Sequence, residues 1–155
     1  MHGPMVMEAG RKRKSYLFAF IDDMSRLVTH GEFFLSERLD SYLCALRQAL
    51  LKRGLPRKLY VDNGPAFRSA RLQEIAASLG IALIHSKPYK PQGRGKIERF
   101  FQTAQRQFVS GFRGTTLNEL NEAFDAWLRD LYHTRPHSAT GLPPFLPRQV
   151  MDGWS

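Results

Sequence analysis

Two carboxylates, Asp62 and Glu98, stand where a protein could use them to hold a divalent cation. Asp62 ends the short apolar segment 58–61 and is followed at once by Asn63-Gly64-Pro65. A strand end that opens into a glycine turn is a place where α/β sheets present functional groups. Glu98 opens an expected helix after a basic loop, and 35 residues lie between the two acids. Carboxylate oxygens suit Mg2+ or Mn2+, hard cations that keep positions open for water and phosphate oxygens. Two such ions, about 3.5 to 4 Å apart, stabilise the attacking and leaving oxygens of an in-line phosphoryl displacement. That chemistry calls for a third carboxylate. Each acid also has an ordinary structural use: Asp62 can start the Asn63-Gly64 turn, and Glu98 can complement a helix N-terminus.

The elements that must position these acids follow from the apolar pattern. Residues 15–21, Ser-Tyr-Leu-Phe-Ala-Phe-Ile, form a dense apolar run that predicts a buried strand ending at Asp22-Asp23. Residues 26–34 predict a second strand, paired with the first as a hairpin. From Ser36, a candidate N-cap, the period becomes helical, with Leu39, Leu43, Leu46, Leu50 and Leu51 on one face and Gly54 and Pro56 as the stop. Strand 58–61, helix 69–79 and strand 81–85 follow. The Pro- and Gly-rich stretch 86–95 is expected to be a mobile basic loop. A long helix then carries Ile97, Phe100, Phe101, Ala104 and Phe108. A last helix over 117–132 places Leu117, Leu120, Phe124, Trp127, Leu128 and Leu131 on its apolar side. Strands alternating with helices in this way imply an α/β domain with a mixed sheet flanked by helices.

A chain of 155 residues suffices for one domain with a buried core. Its 23 Lys and Arg outnumber 14 Asp and Glu, a formal charge of +9 that favours a polyanionic partner. The single cysteine, Cys44, has no disulfide partner and is expected in or near the core. No apolar run approaches the roughly 20 residues needed to span a bilayer. A cytoplasmic, nucleoid-associated location without membrane contact is the expectation.

Three segments carry a family resemblance. Tyr60-Val61-Asp62-Asn63-Gly64-Pro65-Ala66-Phe67 resembles the second-carboxylate motif of the catalytic core shared by retroviral integrases and bacterial insertion-sequence transposases, the DDE group. Residues 89–101, Tyr-Lys-Pro-Gln-Gly-Arg-Gly-Lys-Ile-Glu-Arg-Phe-Phe, resemble its third-carboxylate motif, and the separation of 35 is the spacing of the D,D-35-E subgroup. Residues 132–139 resemble the segment that closes this core in bacterial transposases. The resemblance implies a ribonuclease-H-like fold and metal-dependent DNA cleavage and strand transfer. Asp62 and Glu98 would be catalytic residues and ligands to Mg2+ or Mn2+, with two ions in the complete enzyme. DNA, as transposon ends and target, would be the substrate, and the working form a homo-oligomer. Residues 1–147 would form the core and 148–155 a tail.

The family's first carboxylate falls at or before position 1 in this register. The chain is therefore expected to begin just after that aspartate, with an incomplete first strand whose remainder Met5-Val6-Met7 could supply. The parent is expected to be a polynucleotidyl transferase; a DNA-binding or assembly module lacking activity is the alternative for these residues alone. Asp22 and Asp23 match the end of the family's second strand rather than a ligand, so turn formation or pairing with Arg is expected of them.

The basic residues divide in two. Lys87, Lys90, Arg94, Lys96 and Arg99 surround the expected carboxylate site and are candidates for phosphate contact, since binding DNA demands charge neutralisation. Arg11-Lys12-Arg13-Lys14 is expected at a hairpin turn, either simply solvated or gripping phosphates. His85, His133 and His137 lack metal-ligand spacing and are expected to be structural or to contact phosphate.

Overall fold

A computed structural model describes residues 1–61, 64–85 and 95–134. The expected hairpin is formed by β3 (Tyr16–Ile21) and β4 (Val28–Phe34), antiparallel with Leu17 opposite Phe33, and with an irregularity between Phe20 and Ile21. A run as apolar as 16–21 needs cover on both faces. It has it: Leu17, Ala19 and Ile21 join one hydrophobic cluster, while Phe18 and Phe20 join another. Helix α1 (Leu39–Arg53) packs on β3 and β4 in the second cluster, which also takes residues of β5 (Lys58–Val61) and α2 (Ala70–Ser78). Helices α3 (Gly95–Gln107) and α4 (Leu117–Trp127) cover the opposite face through Phe100, Ala104, Leu120, Phe124 and Trp127. Strand β6 (Ala82–His85) runs parallel to β5, with His85 opposite Val61.

The chain's first residues follow β3. Met1 and Leu17 exchange backbone hydrogen bonds, and Gly3 donates to Ser15. Beyond Pro4 the same ribbon continues as β1 (Val6–Glu8) paired with β2 (Arg11–Arg13). Met5-Val6-Met7 therefore lengthens a hairpin instead of filling the inner part of the sheet. Its two turn residues, Ala9 and Gly10, both have positive φ, 50° and 76°, the conformation that matches the twist of a tight hairpin.

Several expectations need correction. Ser36 is not the cap of α1: its Oγ accepts from the Arg38 N–H, and Arg38 occupies the cap position without a side-chain bond. The buried stripe of α1 is Tyr42, Ala45, Leu46 and Ala49, leaving Leu51 69% exposed and Cys44 on the surface. Ala45 and Ala49 are fully buried beside Leu46 in this stripe, while Leu39, Leu43 and Leu50 are only partly buried at its flanks. The last helix ends at Trp127 and passes into a single wide turn, Leu128–Tyr132, that leaves Leu131 exposed. Helix α2 has its expected stop, with Gly80 at φ 72°, and Ser69 caps its start by accepting from Leu72. Among the described residues, no helix is long and apolar enough to cross a membrane.

Candidate functional site

A cavity of about 370 Å³ opens between β3, β5 and the start of α3. Its lining includes Met1, Ala19, Glu37, Val61, Ile97 and Glu98. Val61, the last residue of β5, lines this cavity, and Asp62 follows it in sequence. Glu98 is in the first turn of α3, where a carboxylate also suits the helix dipole. Two elements far apart in sequence thus bring Val61, the residue before Asp62, and Glu98 to one space.

The described part of this space has oxygen donors of the right kind for a hard divalent cation. Glu98 is exposed at the cavity and Glu37 shares the lining. No group of three or more His, Cys, Asp or Glu side chains among the described residues is close enough to form a metal centre. Glu37 escaped the sequence reading because it lies between β4 and α1, far from either motif. The fold reveals it by placing Glu37 and Met1 in the lining of one cavity.

The floor of the cavity is aromatic. Tyr42 is buried between Phe18, Phe20 and Phe67, with ring centroids 5.9, 5.3 and 4.8 Å away. Burial pushes its hydroxyl well above the ordinary phenol range. The hydroxyl meets no hydrogen-bond partner among the described residues.

Lys96 and Asp23 join the start of α3 to the β3–β4 turn through an ion pair, and the Lys96 ammonium also donates to the Asp23 carbonyl at 3.2 Å. A candidate phosphate contact is thereby engaged by protein. Arg99 is exposed, one residue beyond Glu98. Asp22 is 2% exposed, and one of its carboxylate oxygens accepts from the N–H and hydroxyl of Ser25 at 2.8 and 2.7 Å. It builds the turn, while Asp23 pairs with Lys96 through its carboxylate and accepts from the Arg26 guanidinium at its carbonyl. Neither lines the cavity that Glu98 borders.

His85 bonds to the Phe67 carbonyl at 2.8 Å, and His133 accepts from the Val28 N–H at 3.2 Å. Both histidines have structural partners. Asp62, the basic loop 86–94 with Lys87, Lys90 and Arg94, the segment from 135 with His137, and the 148–155 tail lie outside the described residues.

Comparison with known proteins gives a consistent result. Residues 2–91 match one family model described as "Integrase core domain", and residues 79–144 match a second with the same description. The chain is 30% identical over 158 residues to the transposase for transposon Tn552 of Staphylococcus aureus, covering 88% of this chain and 33% of that protein. It is 28% identical over 153 residues to a putative transposase for insertion sequence element IS5376 of Geobacillus stearothermophilus, covering 92% of this chain and 38% of the relative. The chain thus spans about a third of the length of these curated relatives. Among solved structures, it resembles a chain of the simian T-cell lymphotropic virus intasome in complex with a PP2A regulatory subunit. That likeness has a TM-score of 0.73 at 22% identity, over 94% of this chain and 54% of that one. It also resembles the HTLV-2 integrase catalytic core domain in complex with magnesium, with a TM-score of 0.63 at 21% identity, over 92% and 89% of the two chains. The fold is ribonuclease-H-like, as in these integrase cores, and the chain belongs to the integrase core domain family.

Proposed function

We propose that this chain is the catalytic core of an integrase-type transposase, with Asp62 and Glu98 as ligands to Mg2+ or Mn2+ and DNA as substrate. The observation that carries the reading is the shared cavity: Glu98 and the residue that precedes Asp62 line the same wall. A divalent cation bound there supplies charge stabilisation and activates an oxygen nucleophile at neutral pH. Asp62, which follows β5 in sequence, and Glu98, in the first turn of α3, would supply the hard oxygen ligands. Lys87, Lys90, Arg94 and Arg99 would neutralise the phosphates of bound DNA. Lys96 is a positioning residue, since its pairing with Asp23 holds the first turn of α3, and with it Glu98, against the β3–β4 turn.

The reaction is hydrolysis of a phosphodiester at an element end, followed by attack of the freed 3′-hydroxyl on target DNA. A third acid belongs to such a site, and Met1 lines the cavity. A carboxylate carried on polypeptide joined to the amino side of Met1 would complete the ligand set. The solved relative in trimeric and dimeric forms supports a homo-oligomeric working form for this core.

The test uses strand transfer on end-labelled element DNA, by the 155-residue chain and by a form extended upstream of Met1 to include an aspartate. The extended form is expected to be active and the shorter one weak or inactive. Asp62→Asn or Glu98→Gln in the extended form should remove strand transfer and leave DNA binding within about twofold. Full activity in either variant would overturn the ligand assignment. DNA binding without Mg2+-dependent cleavage in any form would support a DNA-binding or assembly module instead.

A further inference from the structure

The β1–β2 ribbon is a second, separate basic feature of the surface. Arg11, Lys12, Arg13 and Lys14 follow one another along it, all exposed. No acidic side chain among the described residues forms an ion pair with any of them. A ribbon of two short strands is ordinarily marginal on its own. This one is fixed along its first strand, up to the residue pair next to the turn. Val6 is buried in the core at 1% exposure, the Met7 N–H donates to the Thr115 carbonyl at 2.7 Å, and the Ser15 hydroxyl donates to the Pro4 carbonyl at 2.6 Å. Four cations are therefore held on a supported arm, and side chains alternate between its two faces.

The arm also has a defined direction. Met1 lines the cavity that Glu98 borders, and the ribbon runs outward from Met1 to its tip at Ala9-Gly10. Eight residue steps at about 3.3 Å each place the tip up to roughly 26 Å from Met1. At about 3.4 Å per base pair, that reach corresponds to about seven base pairs of duplex.

We propose that the β1–β2 ribbon is a DNA phosphate-binding arm that grips the duplex backbone about seven base pairs from the bond held at the cavity. The inference rests on the strand-transfer reading for its ligand, but assigns a surface outside the catalytic cavity. Binding is through charge and carries no sequence preference of its own, because phosphates are alike at every base pair.

The experiment measures affinity of the 155-residue chain for a duplex of about 30 base pairs by fluorescence anisotropy across a salt series, using probe DNA of two unrelated sequences. Replacing Arg11, Lys12, Arg13 and Lys14 together by Gln should weaken binding at least about tenfold at roughly 0.1 M salt. It should also flatten the slope of log affinity against log salt by up to about 3.6, at roughly 0.9 for each of the four phosphates no longer neutralised. The charge-keeping double variant R11K/R13K should bind like the parent, and circular dichroism should show all forms folded. Duplexes shortened on the arm side should lose affinity once fewer than about seven base pairs remain. An unchanged slope in the Gln variant, with the parent still binding DNA, would overturn the arm and leave the strand-transfer reading intact. Failure of the parent to bind any duplex would instead count against that reading. Preferential, salt-sensitive binding of the parent to anionic phospholipid vesicles over duplex, lost in the Gln variant, would overturn DNA as the arm's partner.

Discussion

The imidazole Nε2 of His133 accepts the backbone N–H of Val28 across 3.2 Å, a contact between residues 105 apart in sequence. Beside it, Tyr132 donates its hydroxyl to the Arg26 carbonyl at 3.1 Å. Together they fasten the end of the described chain to the turn that launches β4, the same turn that Asp23 and Lys96 tie to α3. Both ends of the α3–α4 layer are thus anchored on one side of the hairpin.

This anchoring makes stability depend on pH. Burial, with Arg53 and Lys52 nearby, holds the His133 ring down to about 4, below the ordinary value of about 6.5 for histidine. The bond from Val28 needs the neutral ring. The unfolded chain takes up its proton near pH 6.5 and the folded chain only near 4, so the contribution is complete above 6.5 and lost progressively toward 4. It amounts to about 2–3 kcal/mol. Urea unfolding at about pH 7.5 and about pH 4.5 should show this loss in the parent and a shallower one in His133→Gln, whose amide oxygen accepts without titrating. Identical profiles for the two proteins would show that His133 does not cause the pH dependence.

Asn121 on α4 serves the edge of β4. Its Oδ1 accepts from the Phe33 N–H at 2.7 Å, and its Nδ2 donates to the Phe33 carbonyl at 3.1 Å. The side chain thereby satisfies both backbone groups of an edge residue whose ring is fully buried. Asn121→Leu should lower unfolding free energy by about 1–3 kcal/mol, since two backbone groups are left without this partner. Asn121→Asp should also be destabilising, because a carboxylate oxygen replaces the donor facing the carbonyl. Chemical denaturation checks both.

Gly31 is set by packing. A Cβ at this position would lie 2.7 Å from Cε1 of Phe124, inside any tolerable contact. Gly31→Ala should therefore cost about 1–3 kcal/mol. Combining it with Phe124→Leu should cost less than the sum of the two single changes, because the smaller side chain gives room. Additive losses would show that the ring does not set the requirement for glycine.

Much of this architecture was legible in the residues. The two-sided burial of β3 is written in the unbroken run from Tyr16 to Ile21, and Gly80 marks the end of α2. Leucine spacing misled in α1, where Leu51 projects to solvent and Ala45 and Ala49 face the sheet. Close approach of helix to sheet selects small side chains, and a hydrophobicity pattern cannot distinguish that from a weakly apolar surface. The motif spacing predicts that Asp62 and Glu98 belong together; the structure describes Glu98 and Val61, the residue before Asp62, in one cavity lining. The sequence held no comparable sign of Glu37, of the Lys96–Asp23 pair or of the Asn121 clamp. Each depends on elements meeting in space across long stretches of chain.

The central claim is that Asp62 and Glu98 hold the divalent cation. It is tested most directly by Mn2+ titration of the chain labelled with carbon-13 at its Asp and Glu carboxyl groups, reading paramagnetic broadening residue by residue. The Asp62 and Glu98 signals should broaden first and together, and Mg2+ should reverse the effect in competition. Early broadening at Asp22 or Asp23, with Glu98 left sharp, would contradict the claim.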